Sequence, residues 1–142
     1  MFIKQLSIFV ENKFGRLEAI IDALGKNGIN ISALSLADTT DFGILRLITS
    51  EPDRAKEVLS EIGVISKCTP VTAVFLKDSA GGLAEVLKVF TENEISIEYM
   101  YAFLGRKAGE ALMVLKTDDL EKTEKALIGA SIKIASEADI RN

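Results

Sequence analysis

The start of the chain changes from a strand-like to a helix-like pattern of apolar residues. Leu6, Ile8 and Val10 occupy alternate positions, which is the two-residue period of a β-strand. Further along, apolar residues recur at the spacing of one helix face, at Leu17, Ile20, Ile21 and Leu24. The pattern predicts a strand over residues 2–10 and a helix over residues 16–27.

The same two periods continue and complete a βαββαβ order. They predict strands over residues 29–37 and 43–49, a polar turn over residues 38–42 between them, and a short strand over residues 64–68. A second helix precedes that short strand, and Ser50 is in position to cap it. Its apolar face is Ala55, Val58, Leu59 and Ile62.

The order then starts again in the second half of the chain. The third helix repeats the face of the first helix 66 positions later, at Leu83, Val86, Leu87 and Phe90. Leu112 falls on Leu45 at a shift of 67, because the intervening loop is longer by one residue. Thr117 takes the place of Ser50 as a cap for the fourth helix, and residues 131–135 predict a last strand. Such a repeat indicates two copies of one small fold.

The repeat predicts two domains, residues 1–70 and 71–142, with Pro70 at the joint. A βαββαβ unit folds as a ferredoxin-like α+β layout, an antiparallel sheet with both helices on one face. Each copy is of a size at which a lone core is marginal, so we expect the two halves to bury surface against each other.

The turn between the first strand and the first helix has the features of an anion-binding site. Gly15 lies at its hinge, and a glycine there has no Cβ to keep another group away from the backbone. The first amides of a helix have no partner within the helix, and the helix dipole is positive at that end. We expect this turn to accept a small anion such as a carboxylate.

Composition narrows the classes of function. The 142 residues include 17 basic and 21 acidic ones, and a net charge of −4 argues against nucleic-acid and anionic-membrane partners. Histidine is absent, and we find neither a cofactor loop nor a metal-ligand motif, so we expect no catalysis, no metal and no cofactor. No apolar run approaches the roughly 20 residues that cross a bilayer. The single Cys68 suits a reducing cytoplasm and favours a small core residue.

Two segments resemble a known family. Glu-Asn-Lys-Phe-Gly-Arg-Leu at residues 11–17, followed after the helix by Asn-Gly-Ile-Asn-Ile at residues 27–31, is similar to the ACT domain, a small regulatory module that binds amino acids. The usual turn of that family reads Asn-Arg-Pro-Gly or Asp-Arg-Pro-Gly, and its second strand opens with Gly-Val-Asn-Ile or similar. Both repeats follow the pattern, so the resemblance covers nearly the whole chain. It implies two ACT repeats; their sheets either run together as one eight-stranded sheet with the helices on one side, which we favour, or pack face to face.

The resemblance also implies a ligand site, where the turn of one module faces the second strand of its neighbour. The positions of the first repeat are Asn12, Phe14, Gly15, Arg16, Leu17, Asn30 and Ile31. The side-chain amide of Asn12 would contact the ligand, and the backbone amides of the turn would lie near its carboxylate. Backbone carbonyls of Asn30 and Ile31 would be available to an ammonium group. Phe14 is either a lid over this ligand or, as we favour, an edge of the core.

The second repeat offers a matching but different set. Its positions are Asp78, Ala80, Gly81, Gly82, Leu83, Ser96 and Ile97. The proline of the family turn is Phe14 in one copy and Ala80 in the other, so neither turn is as rigid as the family's. Asp78 would attract an ammonium group and repel a carboxylate. We therefore expect the first copy to be the better match.

Two hypotheses of function follow. In the first, the chain is a small-molecule-binding regulatory module that senses a free amino acid at the interface between ACT repeats and signals through association, as a homodimer. In the second, it is a ligand-free interaction or dimerisation module that docks a metabolic enzyme through its sheet faces and edges.

Overall fold

The computed structural model describes residues 1–38, 41–106 and 108–141. The chain divides into two compact units. The N-terminal unit comprises Lys4–Thr69 together with Arg141, and the C-terminal unit comprises Met1–Ile3 and Pro70–Ile140. Residues 39 and 40 of the predicted turn at 38–42 lie outside the described residues.

The N-terminal unit has helices α1 and α2 on one side of a three-stranded antiparallel sheet. Its elements are β1 Ile3–Glu11, α1 Arg16–Lys26, β2 Ile31–Asp38, β3 Phe42–Thr49 and α2 Pro52–Glu61. Strand β3 lies between β1 and β2. The alternate residues of β1 and β3 and the inner faces of both helices form one core, which is Leu6, Ile8, Val10, Ile20, Leu24, Ile29, Leu45, Leu47, Ala55, Val58 and Leu59. Burial of these apolar side chains is the main force that holds the unit together.

The C-terminal unit repeats this plan and adds a short final helix. Its elements are the part of β4 (Ser66–Lys77) from Pro70 onward, α3 Gly82–Glu92, β5 Ile97–Ala102, β6 Glu110–Thr117, α4 Leu120–Gly129 and α5 Glu137–Ile140. Strand β6 lies between β4 and β5, and both pairings are antiparallel. The core is Val74, Val86, Phe90, Ile95, Leu115, Leu127 and Ile134. The predicted α+β class with two βαββαβ-like units is confirmed.

The prediction of eight strands is wrong, because the described residues form six. The strand predicted at 64–68 and the first strand of the second repeat are one strand, β4, which runs through Pro70. Proline fixes φ near the value of extended backbone, so an exposed proline can lie within such a strand. The strand predicted at 131–135 is reduced to a single bridge between Val74 and Ile134.

The register of the strands corrects the shift that relates the two repeats. Leu45 pairs with Ile8 in the N-terminal unit, and Met113 pairs with Val74 in the C-terminal unit. Val74 is the counterpart of Ile8, so Met113 is the counterpart of Leu45, at a shift of 68 (113 − 45). The predicted counterpart, Leu112, is one residue away, and a slip of one residue exchanges the two faces of a strand. The loop is therefore longer by two residues.

Two predicted helix caps and one predicted core residue are also wrong. Helix α2 has Glu51 at its N-cap, and the Ser50 hydroxyl instead accepts a hydrogen bond from a backbone N–H of the segment before β2. Helix α4 is capped by Asp119, whose carboxylate accepts a first-turn N–H, and not by Thr117. Cys68, which the sequence predicts as a small core residue, is exposed within β4.

Candidate functional site

The turn at the start of α1 has the backbone geometry of a tight glycine hinge. Gly15 has a φ of 80°, in the left-handed region that side chains with a Cβ avoid. The Arg16 N–H donates to the Lys13 carbonyl at 3.3 Å, and the Ala19 N–H donates to the Gly15 carbonyl at 3.0 Å. These bonds fix the direction in which α1 leaves the turn.

Two amides at the start of α1 remain without a partner. No side chain caps this helix end. Among the residues that the structure describes, no acceptor lies within hydrogen-bond distance of the amides of Leu17 and Glu18. Unbonded amides at the positive end of a helix dipole are suited to a small anion.

The turn at the start of α3 repeats the pattern with one difference. Gly81 has a φ of 85°, and the Gly82 N–H donates to the Ser79 carbonyl at 3.0 Å. However, a Cβ at Gly82 would lie 2.0 Å from the backbone oxygen of Lys77. The end of β4 therefore lies directly against the first residue of α3, and only glycine fits there.

The exposure of the turn residues contradicts the prediction that Phe14 lies at the edge of the core. Phe14 is fully exposed, with a relative exposure of 110%, so its interpretation as an edge of the core is wrong. Asn12, Asp78 and Ala80 are exposed as well, whereas Gly82 is buried. Leu83 lies at the border of exposure, at 36%.

The predicted second-strand residues already use their backbone groups. The Asn30 carbonyl accepts the Ser50 N–H at 3.0 Å, and the Asn30 N–H donates to the Ser50 hydroxyl at 3.1 Å. The corresponding carbonyl of Ser96 accepts the Asp118 N–H at 3.2 Å. A carbonyl oxygen has two lone pairs, so each can still accept one further bond.

Within one unit, the turn and the second strand are not brought together. In the N-terminal unit the end of β1 pairs with the start of β3, as Glu11 with Phe42. The start of β2 pairs with the other end of β3, as Ile31 with Thr49. Asn12 and Asn30 therefore lie at opposite ends of the sheet. The C-terminal unit has the same arrangement, since Lys77 pairs with Glu110 and Ile97 with Thr117. Ile31 and Ile97 are half-buried against their own cores.

A cleft of about 750 Å³ in the N-terminal unit lies between the end of β1, α1 and the residues after α2. Arg16 is the one predicted site residue in its lining. Exposed apolar side chains dominate it; they are Phe9, Phe42, Ile62 and Ile65. The phenyl rings of Phe9 and Phe42 meet edge to face, with 6.2 Å between their centroids. The sequence signal for this cleft is Phe9 itself, an aromatic residue on the polar face of β1.

A carboxylate at the rim of this cleft is held by basic neighbours. The pKa of Glu11 is lowered, first by the hydrogen bond from Lys13 and then by the charges of Lys13 and Arg16. The Lys13 ammonium lies 3.1 Å from the carboxylate, and the Arg16 guanidinium lies 3.8 Å away. The Arg16 side chain is thus already paired with Glu11. The main groups that the turn offers to an anion are therefore its backbone amides.

The C-terminal unit has a charged cleft of about 550 Å³ that the sequence did not reveal. Its lining comprises Phe75, Gly105, Arg106, Glu110, Lys133, Ala138 and Asp139. These residues come from separate segments, and no short motif joins them.

The described part of the chain offers neither a metal site nor a membrane-spanning helix. It contains no group of three or more cysteine, aspartate or glutamate side chains that could hold a metal ion. None of its helices is both long and apolar enough to span a membrane.

Comparison with known proteins confirms the resemblance that the sequence indicated. A family model described as the ACT domain pair matches residues 1–142. The crystal structure of protein BT0572 from Bacteroides thetaiotaomicron superimposes with a TM-score of 0.93 and 35% identity, over 100% of this chain and 97% of that chain. None of the curated proteins compared with the chain matches it.

Two more distant structures share the fold. The regulatory subunit of aspartate kinase from Thermus thermophilus, in its ligand-free form, has a TM-score of 0.66 and 16% identity, over 90% of each chain. The regulatory subunit of aspartate kinase from Thermus flavus has a TM-score of 0.58 and 15% identity, over 90% of this chain and 92% of that chain. The match along the whole length shows that the chain belongs to the ACT domain pair family.

Proposed function

We propose that the chain is a regulatory module that senses a free amino acid and signals through association. The observation that carries this proposal is the start of α1, where the amides of Leu17 and Glu18 are unbonded beside the left-handed Gly15. Membership in the ACT domain pair family and the fold shared with an aspartate kinase regulatory subunit support the regulatory class.

The turn supplies groups for one half of an amino acid. Its two open amides and the dipole of α1 accept a carboxylate, and the exposed Asn12 adds a side-chain amide. The ammonium group needs acceptors that the turn does not offer. Carbonyls such as those of Asn30 and Ile31 meet this need, and they lie at the far end of the sheet, so they come from another ACT module. A ligand shared in this way favours association of the modules.

The energy available is sufficient for such a signal. A ligand at 100 times its dissociation constant stabilises the state that binds it by about 2.7 kcal/mol. A ligand that favours the associated state by this amount shifts its population about a hundredfold relative to the free state. Homodimerisation is the simplest form of such association.

A thermal-melting screen with each common amino acid at millimolar concentration tests the proposal. We expect one amino acid or a few related ones to raise Tm and to increase the sedimentation coefficient. If none changes either quantity, the sensing proposal is wrong.

A matched pair of variants tests the site itself. Glu18→Pro removes one open amide at a first-turn position, where helices tolerate proline, whereas Glu18→Ala keeps it. We expect the Tm increase caused by the ligand to disappear in Glu18→Pro and to persist in Glu18→Ala. Circular dichroism without ligand confirms that both variants fold. An equal response of the two variants would place the ligand elsewhere.

The second candidate function is a ligand-free module that docks a metabolic enzyme. The cleft beside α1 favours it, because Phe9 and Ile65 are 73% and 89% exposed there. Large exposed apolar side chains in one cleft are typical of interaction sites. Two results together would favour this function over amino-acid sensing. No amino acid would change Tm in the melting screen, and a partner protein would co-purify with the wild type but not with Phe9→Ser.

A further inference from the structure

We propose that the C-terminal unit holds a second small-molecule site, which binds the zwitterion of a free α-amino acid above Phe75. We call it the Phe75 pocket; it is the 550 Å³ cleft lined by Phe75, Gly105, Arg106, Glu110, Lys133, Ala138 and Asp139. None of these residues belongs to the glycine turns, so this site is separate from the one at the start of α1. Its volume lies within the range of about 300–1,000 Å³ that is common for ligand sites.

Two cations lie over the aromatic floor of the pocket. The Lys133 ammonium is 4.6 Å from the centroid of the Phe75 ring, and the Arg106 guanidinium carbon is 5.8 Å from it. The Arg106 guanidinium also donates to the Glu110 carboxylate, at 3.1 Å from its Nε. Lys133 has no carboxylate within 4.0 Å among the described residues, so its ammonium is available to a ligand.

The pocket also presents an open carboxylate oxygen. Asp139 accepts both the backbone N–H of Ser136, at 2.9 Å, and the Ser136 hydroxyl, at 3.0 Å, on its Oδ2 atom. These bonds lower the pKa of Asp139, which therefore stays ionised at neutral pH. Its Oδ1 atom makes no hydrogen bond within the described part of the chain.

Lys133 and Asp139 thus line one cleft with opposite charges and form no ion pair within 4.0 Å, although the Lys133 charge contributes to the lowered pKa of Asp139. Arg106 and Glu110, by contrast, form an ion pair in the same cleft. A gap between an open cation and an open carboxylate is filled best by a ligand that carries both charges. The carboxylate of the ligand then meets Lys133, and its ammonium meets Oδ1 of Asp139.

The N-terminal unit shows that the fold does not require these charges. Phe9 is the counterpart of Phe75 at a shift of 66, and the strand registers make Phe42 the counterpart of Glu110. The turns after α2 and α4 share their backbone hydrogen bonds at a shift of 68, which makes Ile65 the counterpart of Lys133. The phenylalanine is therefore kept, whereas the positions of Glu110 and Lys133 are apolar in the N-terminal unit.

The charge balance selects the class of ligand. A phosphate or a dicarboxylate would lie close to Asp139 and Glu110, and a simple cation would lie close to Lys133 and Arg106. Each of these ligands would meet repulsion from two side chains. A zwitterion satisfies both signs, and the apolar surface of Phe75 and Ala138 suits an apolar amino-acid side chain.

The experiment is a titration of the full chain with single L-amino acids, followed by backbone amide NMR. We expect one apolar amino acid to shift the signals of Phe75, Lys133 and Asp139. Lys133→Ala should weaken this binding by about tenfold or more, the value of a charge-assisted hydrogen bond. Lys125→Ala, which removes an exposed lysine of α4, should leave it unchanged.

Chemical variants of the same ligand separate the two charges. The N-acetyl derivative lacks the ammonium group and the amide derivative lacks the carboxylate, so each should bind about tenfold more weakly or worse. Equal binding of the N-acetyl derivative, or equal binding by Lys133→Ala, would overturn the proposal.

The location of the NMR shifts distinguishes this site from the turn of α1. Shifts confined to residues 12–18, and lost in Glu18→Pro, would overturn the Phe75 pocket and support the proposed function. Shifts confined to the Phe75 pocket, and retained in Glu18→Pro, would support the pocket and contradict the proposed use of the turn. The absence of any shift with every amino acid would overturn both.

Discussion

The two units begin their first helices with the same backbone but close the turn differently. Gly15 and Gly81 are both left-handed, and the hydrogen bonds around them correspond at a shift of 66. The next residue is Arg16 in the N-terminal unit and Gly82 in the C-terminal unit. The Lys77 carbonyl lies against Gly82. The comparison indicates that the turn before α3 is closed to a side chain at its first helical residue, where the end of β4 leaves room for glycine alone, whereas the turn before α1 accepts one there.

The sheet faces show a second division between the units. The N-terminal cleft combines large exposed apolar side chains with a charged rim, whereas four of the seven lining residues of the Phe75 pocket are charged. The short helix α5 supplies Asp139 in the C-terminal unit. The two copies therefore share one plan of fold and differ in the chemistry at matching surface positions.

The largest expected effect tests the closed turn. Gly82→Ala places a Cβ 2.0 Å from the Lys77 backbone oxygen, which cannot move without disturbing β4. We expect the free energy of unfolding to fall by about 3 kcal/mol, at the upper end of overpacking costs. Urea denaturation followed by circular dichroism measures the change.

The matched control is the corresponding position of the other unit. Arg16→Ala keeps the Cβ that is already present and removes only the exposed part of the side chain. The free energy of unfolding should therefore change by no more than about 0.5 kcal/mol. If Gly82→Ala were as mild as Arg16→Ala, the difference between the two turns would not exist in solution.

A smaller effect concerns the residues that end the helices. Gly28 and Gly63 have left-handed φ values after α1 and α2, whereas Glu94 and Ser131 have them after α3 and α4, with φ of 54° and 58°. The left-handed region destabilises the folded state by roughly 1–2 kcal/mol for a residue with a Cβ, and glycine avoids this cost. Glycine also gives the unfolded chain more conformational entropy, which cancels part of the gain. We expect Glu94→Gly and Ser131→Gly each to stabilise the protein by about 1 kcal/mol in urea denaturation.

The reverse change in the N-terminal unit is the control. Gly28→Ala has space for a Cβ, since no atom lies within 4 Å of it, so only the backbone conformation is tested. It should destabilise the protein by about 1 kcal/mol. A gain in stability from Gly28→Ala, or a loss from Glu94→Gly, would show that other local contacts decide these turns.

The sequence predicts the helices and the α+β plan well, because each helix carries its own apolar face. Leu17 to Leu24 and Leu83 to Phe90 are periodic enough to fix both helices and their shift of 66. The strands are less predictable, because pairing partners decide where a strand ends. Pro70 marks a break in the sequence but lies inside β4, and the predicted strand at 131–135 is too short to form more than a bridge.

The candidate sites divide in the same way. Gly15 and Gly81 can be found from sequence because a left-handed turn needs glycine at one defined position. The sequence does not predict the position of Phe14, because its neighbours along the chain are compatible with either the core or the solvent. In the structure Phe14 is fully exposed. The Phe75 pocket depends on contacts of Arg106 and Lys133 with the Phe75 ring and on the position of α5 beside them. These contacts exist only after folding, so no local pattern predicts them.

The smallest expected effect compares one lowered carboxyl pKa in each unit. The pKa of Glu11 is lowered first by the Lys13 hydrogen bond and then by the charges of Lys13 and Arg16. The pKa of Asp139 is lowered first by the backbone N–H of Ser136 and then by its hydroxyl. In each case the folded-state pKa lies below the unfolded one. Each group therefore stabilises the fold above its unfolded pKa of about 4, and this contribution is lost as the pH falls through the folded value.

Salt should separate the two carboxyls. At 1 M salt the Debye length is about 3 Å, so the influence of charged lysine and arginine on exposed Glu11 weakens and its pKa rises toward the ordinary value. For Asp139 the uncharged Ser136 donors are the largest causes and the charges of Lys133 and Arg106 contribute less, so its pKa should rise less than that of Glu11. Carboxyl-carbon NMR titrations at low and high salt measure both, and Lys13→Ala should reproduce the effect of salt on Glu11 alone. A parallel rise of both pKa values would mean that charges, and not the Ser136 hydrogen bonds, hold Asp139 ionised, and the orientation of its open Oδ1 atom would then no longer be fixed.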